Sequence, residues 1–174
     1  MLPPMLAIAR RHPNQQFAIA GMSLLGESFY QQLCAQNGGT PDNVTIHYDA
    51  TYQLLSHAHA AIVCSGTATL ETALFNVPQV VCYRANALSI AIARFFVGKR
   101  VKYISLVNLI ADKPIVTELI QGDMDLDTVD AELTRLTTDT NYRNTMRNGY
   151  SQVRQLLGGP GASSRVVQDI LSSL

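Results

Sequence analysis

Four short apolar runs, each followed by a helix-like stretch, constrain this chain more than any other feature. They are Phe17-Ala18-Ile19-Ala20, ending at Gly21; Val44-Thr45-Ile46-His47-Tyr48; Ala60-Ala61-Ile62-Val63-Cys64; and Gln79-Val80-Val81-Cys82-Tyr83. The second alternates. The others are apolar nearly throughout and bounded by turn residues, the pattern of strands buried on both faces. Between the runs the period changes to that of a helix. Pro3 and Pro4 open one through Arg11, and Ser28 to Cys34 form another that Asn37-Gly38-Gly39 stops. Asp49 is placed to cap a helix over residues 51–57. After Ser65-Gly66-Thr67, Leu70, Ala73, Leu74 and Val77 form one apolar stripe, ended by Asn76 and Pro78. Strands alternating with helices predict an α/β fold, a Rossmann-like parallel sheet with flanking helices.

From Ala87 onward the chain turns mostly helical. Helices are expected over residues 87–97, over 114–121 with Asp112 as cap, over 127–136 and over 141–157. Gly158-Gly159-Pro160-Gly161 then breaks the chain. Ser163 caps a last helix carrying Val166, Val167, Ile170, Leu171 and Leu174, a helical C-terminal extension. At 174 residues, 47% of them apolar, the chain suits a single domain with a sizeable core.

Composition narrows function by exclusion. Lysine plus arginine number 13 and so do aspartate plus glutamate, so no overall field draws nucleic acid to the chain. Charged residues are 15%, below the roughly 25% of a typical domain, which predicts surface covered by another domain, a subunit or lipid. Cys34, Cys64 and Cys82 lack Cys-x-x-Cys spacing and read as small hydrophobes in a reducing compartment, the latter two buried in strands. His12, His47, His57 and His59 have no metal-ligand spacing, and no Gly-x-Ser-x-Gly elbow is present. Neither a metal nor a cofactor is expected. Arg10, Arg11 and His12 interrupt any signal-peptide core. The longest apolar stretch, residues 85–97, falls short of the ~20 residues that span a bilayer.

The segment with most chemical content is Ser65-Gly66-Thr67-Ala68-Thr69-Leu70-Glu71, set between a buried strand and a helix. Ligands of open parallel sheets bind outside the carboxyl ends of the strands. A helix amino terminus there offers free N–H groups and a positive dipole end, which suits phosphate. Gly66 lets an anion approach, and Ser65 and Thr67 add hydroxyls. Glu71 lies on the same face as Thr67, about 6 Å along the axis, where a carboxylate can accept both ribose hydroxyls. The plainer reading stays open: Ser65 as a simple N-cap and Glu71 as a solvated helix residue.

Five motifs then occur in order: Ser65 to Glu71, Pro78 to Arg84, Tyr103 to Ile110, Glu118 to Gln121, and Gly161-Ala162-Ser163 before the last helix. The series resembles the C-terminal half of lipid-A-disaccharide synthase, over nearly the whole chain. The family's usual Ser-Leu-Pro-Asn has Val107 in place of proline here, with Asn108 retained. The resemblance implies a GT-B glycosyltransferase that moves 2,3-diacylglucosamine from its UDP conjugate to 2,3-diacylglucosamine 1-phosphate, with inversion and without a metal. Since GT-B enzymes hold the nucleotide in their C-terminal domain, it implies UDP-sugar contacts from Ser65, Gly66, Thr67 and Glu71. Arg84 and Asn108 join them, and Tyr83, Lys102, Glu118 and Gln121 are secondary candidates. No catalytic residue is assigned in this half.

The resemblance also implies an acceptor-binding N-terminal domain, and a first strand with a Gly-Ser-Arg turn, that this chain does not contain. Residues 1–174 are therefore expected to be one nucleotide-sugar-binding domain of a longer enzyme, inactive alone. The family implies a homodimer and a cytoplasmic, peripheral place on the inner membrane. Leu88, Ile90, Ile92, Phe95, Phe96 and Val97, followed by Lys99, Arg100 and Lys102, fit a membrane-surface helix and equally a core helix with a cationic end. Two other classes stand beside the leading one. One is a different UDP-sugar GT-B enzyme, of the UDP-N-acetylglucosamine epimerase or peptidoglycan N-acetylglucosaminyltransferase type, against which the Tyr103-to-Ile110 motif argues. The other is a non-catalytic assembly module.

Overall fold

Among the described residues the apolar runs become strands, each pairing in parallel. In this computed structural model, residues 1–84, 102–120, 122, 124–159, 161, 167, 170 and 171 are described. Strand β1 (Phe17–Gly21) lies beside β2 (Val44–Tyr48), with Phe17 opposite Val44 and Gly21 opposite Tyr48. Strand β3 (Ala61–Cys64) pairs with β4 (Gln79–Tyr83), and β4 with β5 (Thr117–Ile120). The pairing makes two sheets, β1–β2 and β3–β4–β5, where the sequence predicts one. Among the described residues β1 and β3 each keep one edge without a strand partner.

The helices are α1 (Leu2–Arg11), α2 (Glu27–Ala35), α3 (Thr51–His57), α4 (Thr67–Leu74), α5 (Leu106–Ala111), α6 (Leu126–Thr138) and α7 (Thr140–Leu157). Helices α4 and α6 lie against the larger sheet, and α7 packs on α4, α5 and α6. Successive strand residues point to opposite faces, and in β5 Glu118 turns to α5 while Thr117 meets Tyr142 of α7. The main core gathers Val80, Val81 and Cys82 of β4 with Val107, Leu136, Met146 and Tyr150. A smaller one joins Leu6 and Ala9 of α1 to Cys34 and Val44. Arg11 and His12 at the end of α1 reach Asp127 and Asp130 of α6, and Tyr52 at the start of α3 stacks on Phe75 just past α4.

Several local expectations are corrected. Residues 117–120 form β5 instead of continuing a helix from Pro114, because four residues are too few for periodicity to decide and pairing with Val80 to Tyr83 decides instead. Asp112 is not a helix N-cap; it ends α5 in the left-handed region at φ 47°. Asp49 does not cap α3. At φ 53° its carboxylate accepts the N–H of Ser23 (3.1 Å), and Ala50 stands at the cap. The buried face of α4 is Thr69, Thr72 and Ala73, while Leu74 is exposed. Two threonines enter the core because their hydroxyls donate back to Gly66 O and Ala68 O. The expected helix over 87–97 lies outside the described residues, as does most of the last one. No helix of the described residues is long and apolar enough to cross a membrane.

Cys64 is a further correction: it is exposed at the end of β3, whereas Cys34 and Cys82 are buried. Partial desolvation raises the Cys64 thiol, and burial pushes Cys82 up to about 12. A thiol-reactive disulfide reagent at pH 8 is thus expected to modify Cys64 alone in the folded chain, slowly, and all three cysteines in denaturant. Prompt reaction at more than one position in the folded state would contradict this burial.

Candidate functional site

The strand-to-helix turn after β3 is built by backbone geometry. Ser65 continues the strand far enough for its N–H to donate to Cys82 O (3.1 Å), which ties the turn to the carboxyl end of β4. Gly66 then takes φ 152° and ψ −164°, a conformation that a side chain disfavours. A Cβ added there would meet no atom of the described residues within 4 Å, so among them conformation and not crowding requires the glycine. Helix α4 begins at Thr67 with glycine at its N-cap and so no capping side chain; Thr69 N–H donates to Gly66 O at 3.2 Å, and among the described residues the N–H groups of Thr67 and Ala68 have no side-chain cap.

Ser65 is not the N-cap. Its hydroxyl donates to Ile104 O at 3.3 Å instead. Thr67 is exposed, and Glu71, one turn along, is half-buried. Tyr83 ends β4 half-buried and Arg84 follows it exposed, at the same end of the sheet as Ser65. Five of the expected donor-site residues, Ser65, Gly66, Thr67, Tyr83 and Arg84, therefore gather at the carboxyl ends of β3 and β4, with Glu71 a turn into α4. Lys102 lies elsewhere, with Nζ 3.7 Å from an Asp112 carboxylate oxygen. Gln121 lies outside the described residues.

Asn108, buried, and Glu118, half-buried, form a hydrogen-bonded knot with Ile104 and Ser105. Asn108 sits in α5 at 1% exposure, not in a loop. Its Oδ1 accepts the N–H groups of Ile115 (2.8 Å) and Val116 (2.9 Å), and its Nδ2 donates to Val116 O and Glu118 Oε1 (both 2.9 Å). All four hydrogen-bonding positions of the amide are thereby filled by protein. The Glu118 carboxylate accepts four donors: Ile104 N (3.0 Å), Ser105 N (2.9 Å), Ser105 Oγ (2.6 Å) and Asn108 Nδ2.

Sequence reasoning misses Ser105 and Ile104 in this arrangement. The signal is present: Ser105 stands three residues before Asn108, an N-cap spacing, and its Oγ accepts Asn108 N at 3.2 Å. A cavity of about 320 Å³ opens nearby against Tyr103, Asn108, Glu118, Arg135 and Tyr142, and none of the turn residues lines it. Arg135 there lies over the Tyr142 ring at 3.7 Å. No group of three metal-ligating side chains occurs among the described residues.

Comparison with known proteins bears on the whole chain. The family described as lipid-A-disaccharide synthetase matches residues 3–166. The lipid-A-disaccharide synthase of Anaeromyxobacter dehalogenans strain 2CP-1 is 35% identical over 175 residues, spanning 98% of this chain and 45% of that protein. The enzyme of that name from Syntrophus aciditrophicus is 36% identical over 169 residues, spanning 95% of this chain and 43% of its own. That from Acidobacterium capsulatum is 43% identical over 121 residues, 70% of this chain and 30% of its own. The chain spans less than half the length of these curated relatives.

Proposed function

Because the chain belongs to the lipid-A-disaccharide synthetase family, we propose that it is the donor-binding half of a glycosyltransferase of lipid A biosynthesis. The donor is UDP-2,3-diacylglucosamine and the acceptor 2,3-diacylglucosamine 1-phosphate. The bond from the donor's anomeric carbon to UDP breaks while a β-1,6 bond to the acceptor's hydroxyl forms. UDP departs, and the hydroxyl proton goes to a base outside the residues assigned here.

The observation that carries this reading is the start of α4 at Gly66, uncapped by any side chain of the described residues, on the carboxyl edge of a parallel sheet. Negative charge grows on the leaving diphosphate as the sugar bond breaks. Fixed N–H groups aimed at that charge stabilise it without reorganising. Glu71, a turn along the same helix, accepts the ribose hydroxyls, and Arg84 faces the diphosphate. Among the described residues β1 and β3 each have an edge without a strand partner, which supports a single nucleotide-sugar domain completed by one more strand between them. The acylated substrates favour work at the inner membrane surface, as a homodimer of the longer enzyme.

Calorimetric titration with UDP tests the site. Saturable binding is expected, weakened at least about tenfold by Glu71→Ala, which is ~1.4 kcal/mol. A folded chain that gives no saturable heat, or a variant that binds as the parent does, would remove the assignment. A preference for the acylated conjugate over UDP-N-acetylglucosamine would separate this reading from other UDP-sugar enzymes.

A further inference from the structure

We infer that Glu118 is a positioning residue for the nucleotide turn. Its carboxylate anchors the 104–105 peptide, which draws the Ser65 hydroxyl away from α4 and leaves the first N–H groups of that helix free for the diphosphate. The inference rests on the donor-site reading above and adds to it a residue that never touches the ligand.

Serine beside a helix start is among the residues most prone to cap it, by accepting an N–H on its hydroxyl oxygen. Ser65 immediately precedes the cap position at Gly66, yet among the described residues no side chain caps α4. The hydroxyl is engaged elsewhere, donating to Ile104 O at 3.3 Å. Donation leaves the oxygen's lone pairs free, so the carbonyl keeps the hydroxyl off the helix by fixing where the side chain points, and only if the carbonyl is itself held in place. Ile104 is held from its other side, where its N–H donates to Glu118 Oε2 at 3.0 Å. The next residue donates both its N–H and its hydroxyl to Oε1, at 2.9 and 2.6 Å. Asn108 adds a fourth donor to the same carboxylate at 2.9 Å. Bonds to an ionised acceptor are shorter and stronger than neutral ones, so the 104–105 peptide is pinned.

Glu118 is itself placed by β5, in register with Val81 of β4, and the next β4 residue, Cys82, accepts Ser65 N. The path from Ser65 through Cys82, β4, β5, Glu118 and Ile104 back to Ser65 is therefore a closed ring. Releasing Glu118 opens it at one point. Asn108 keeps its two bonds from Ile115 and Val116 and its own to Val116 O, which hold α5 to the start of β5 without the carboxylate.

Glu118→Gln replaces one acceptor oxygen by a donor that must face Ile104 N–H or the Ser105 donors. Amide hydrogen exchange on the chain, read by NMR, is the test. Exchange is expected to speed by at least ~10-fold at Ile104 and Ser105 and, through them, at Ser65, with β1 and β2 unchanged. Faster exchange at 104–105 with Ser65 unmoved would overturn the inference, and this readout needs no ligand. Should Glu118→Gln fail to fold, Ser105→Ala removes one donor and is expected to show the same pattern at smaller amplitude. UDP titration is the second arm. An affinity loss in Glu118→Gln that disappears in a Ser65→Ala background supports action through Ser65, and additive losses contradict it. If no UDP binds to the parent chain, the donor-site reading falls while the exchange result still decides the ring.

Discussion

Replacing Asn108 by leucine is expected to lower the unfolding free energy by about 2–3 kcal/mol. The side chain is 1% exposed, and four protein groups depend on it. Glu118 keeps three other donors when the amide is gone. The N–H of Val116 and its carbonyl lose the partner they had, because the replacement is apolar, while the N–H of Ile115 still has Lys113 O at 2.9 Å. Each orphaned buried group costs about 1–3 kcal/mol. Leucine's added burial of roughly 2 kcal/mol offsets part of that sum, so the expected net loss stays below the simple total. Urea denaturation followed by circular dichroism measures it, and a loss below about 1 kcal/mol would mean the knot relaxes onto other partners.

Asn108→Asp separates shape from charge. The side chain keeps its outline and still accepts from Ile115 and Val116. Its second oxygen now faces Val116 O and the Glu118 carboxylate across what were 2.9 Å hydrogen bonds. Two like charges at that distance favour sharing a proton, which raises the folded-state pKa of the introduced carboxyl above its unfolded value of about 3.9. A raised folded pKa gives stability that is present below the unfolded value and lost as pH climbs through the folded one. Asn108→Asp is therefore expected to be most impaired at neutral pH and to recover toward the parent as pH falls to about 4. A deficit equal at both pH values would show that repulsion is not its cause.

The same knot marks where sequence reasoning ends. An amide among apolar neighbours must find partners, and that much follows from Leu106, Val107 and Leu109 around Asn108. Its main partner, Glu118, stands ten residues away and arrives only because residues 117–120 pair with β4. Apolar period assigns those residues to a helix, since Val116, Leu119 and Ile120 fit either pattern. Ladder pairing with Val80 to Tyr83 overrides that local preference. Glu118 consequently moves from a helix surface to the underside of the 104–105 peptide.

The turn at Ser65 to Thr67, by contrast, is readable because its causes are local. A strand, a glycine at positive φ and a helix follow one another within a few residues. What the turn residues do with their side chains is not local. Ser65 reads as a cap, and only the distant Ile104 carbonyl diverts it. Cys64 fails for a similar reason: an apolar strand implies burial on both faces, but β3 has a partner strand on one edge only among the described residues. Asp49 has the right residue type for a cap and the wrong backbone, since φ 53° turns its carboxylate to Ser23.

Gly149→Val is expected to cost about 3 kcal/mol or more, against the usual direction of change at a helical glycine. Within a helix, glycine is worse than alanine by about 1 kcal/mol, so filling such a position ordinarily stabilises. Gly149 lies in α7, buried, where the helix crosses Ile115. A Cβ there would stand 2.5 Å from Ile115 Cγ2 and 3.0 and 3.1 Å from its Cγ1 and Cδ1. The nearest atom belongs to a β-branched side chain, stiff at χ1, so it cannot swing aside as a lysine tip would. Ile115 is also fixed at its backbone, its N–H bound to Asn108 Oδ1. Alanine alone forces the helix outward and is expected to lose about 1–2 kcal/mol net; valine adds two further methyls to the same collision. The origin of the loss is tested by Ile115→Ala, which deletes the colliding atoms. In that background Gly149→Ala is expected to become neutral or stabilising, because the crossing then has room and only helix propensity remains. If Gly149→Ala costs as much with Ile115 truncated as with it present, the glycine serves something other than the close approach of α7 to Ile115.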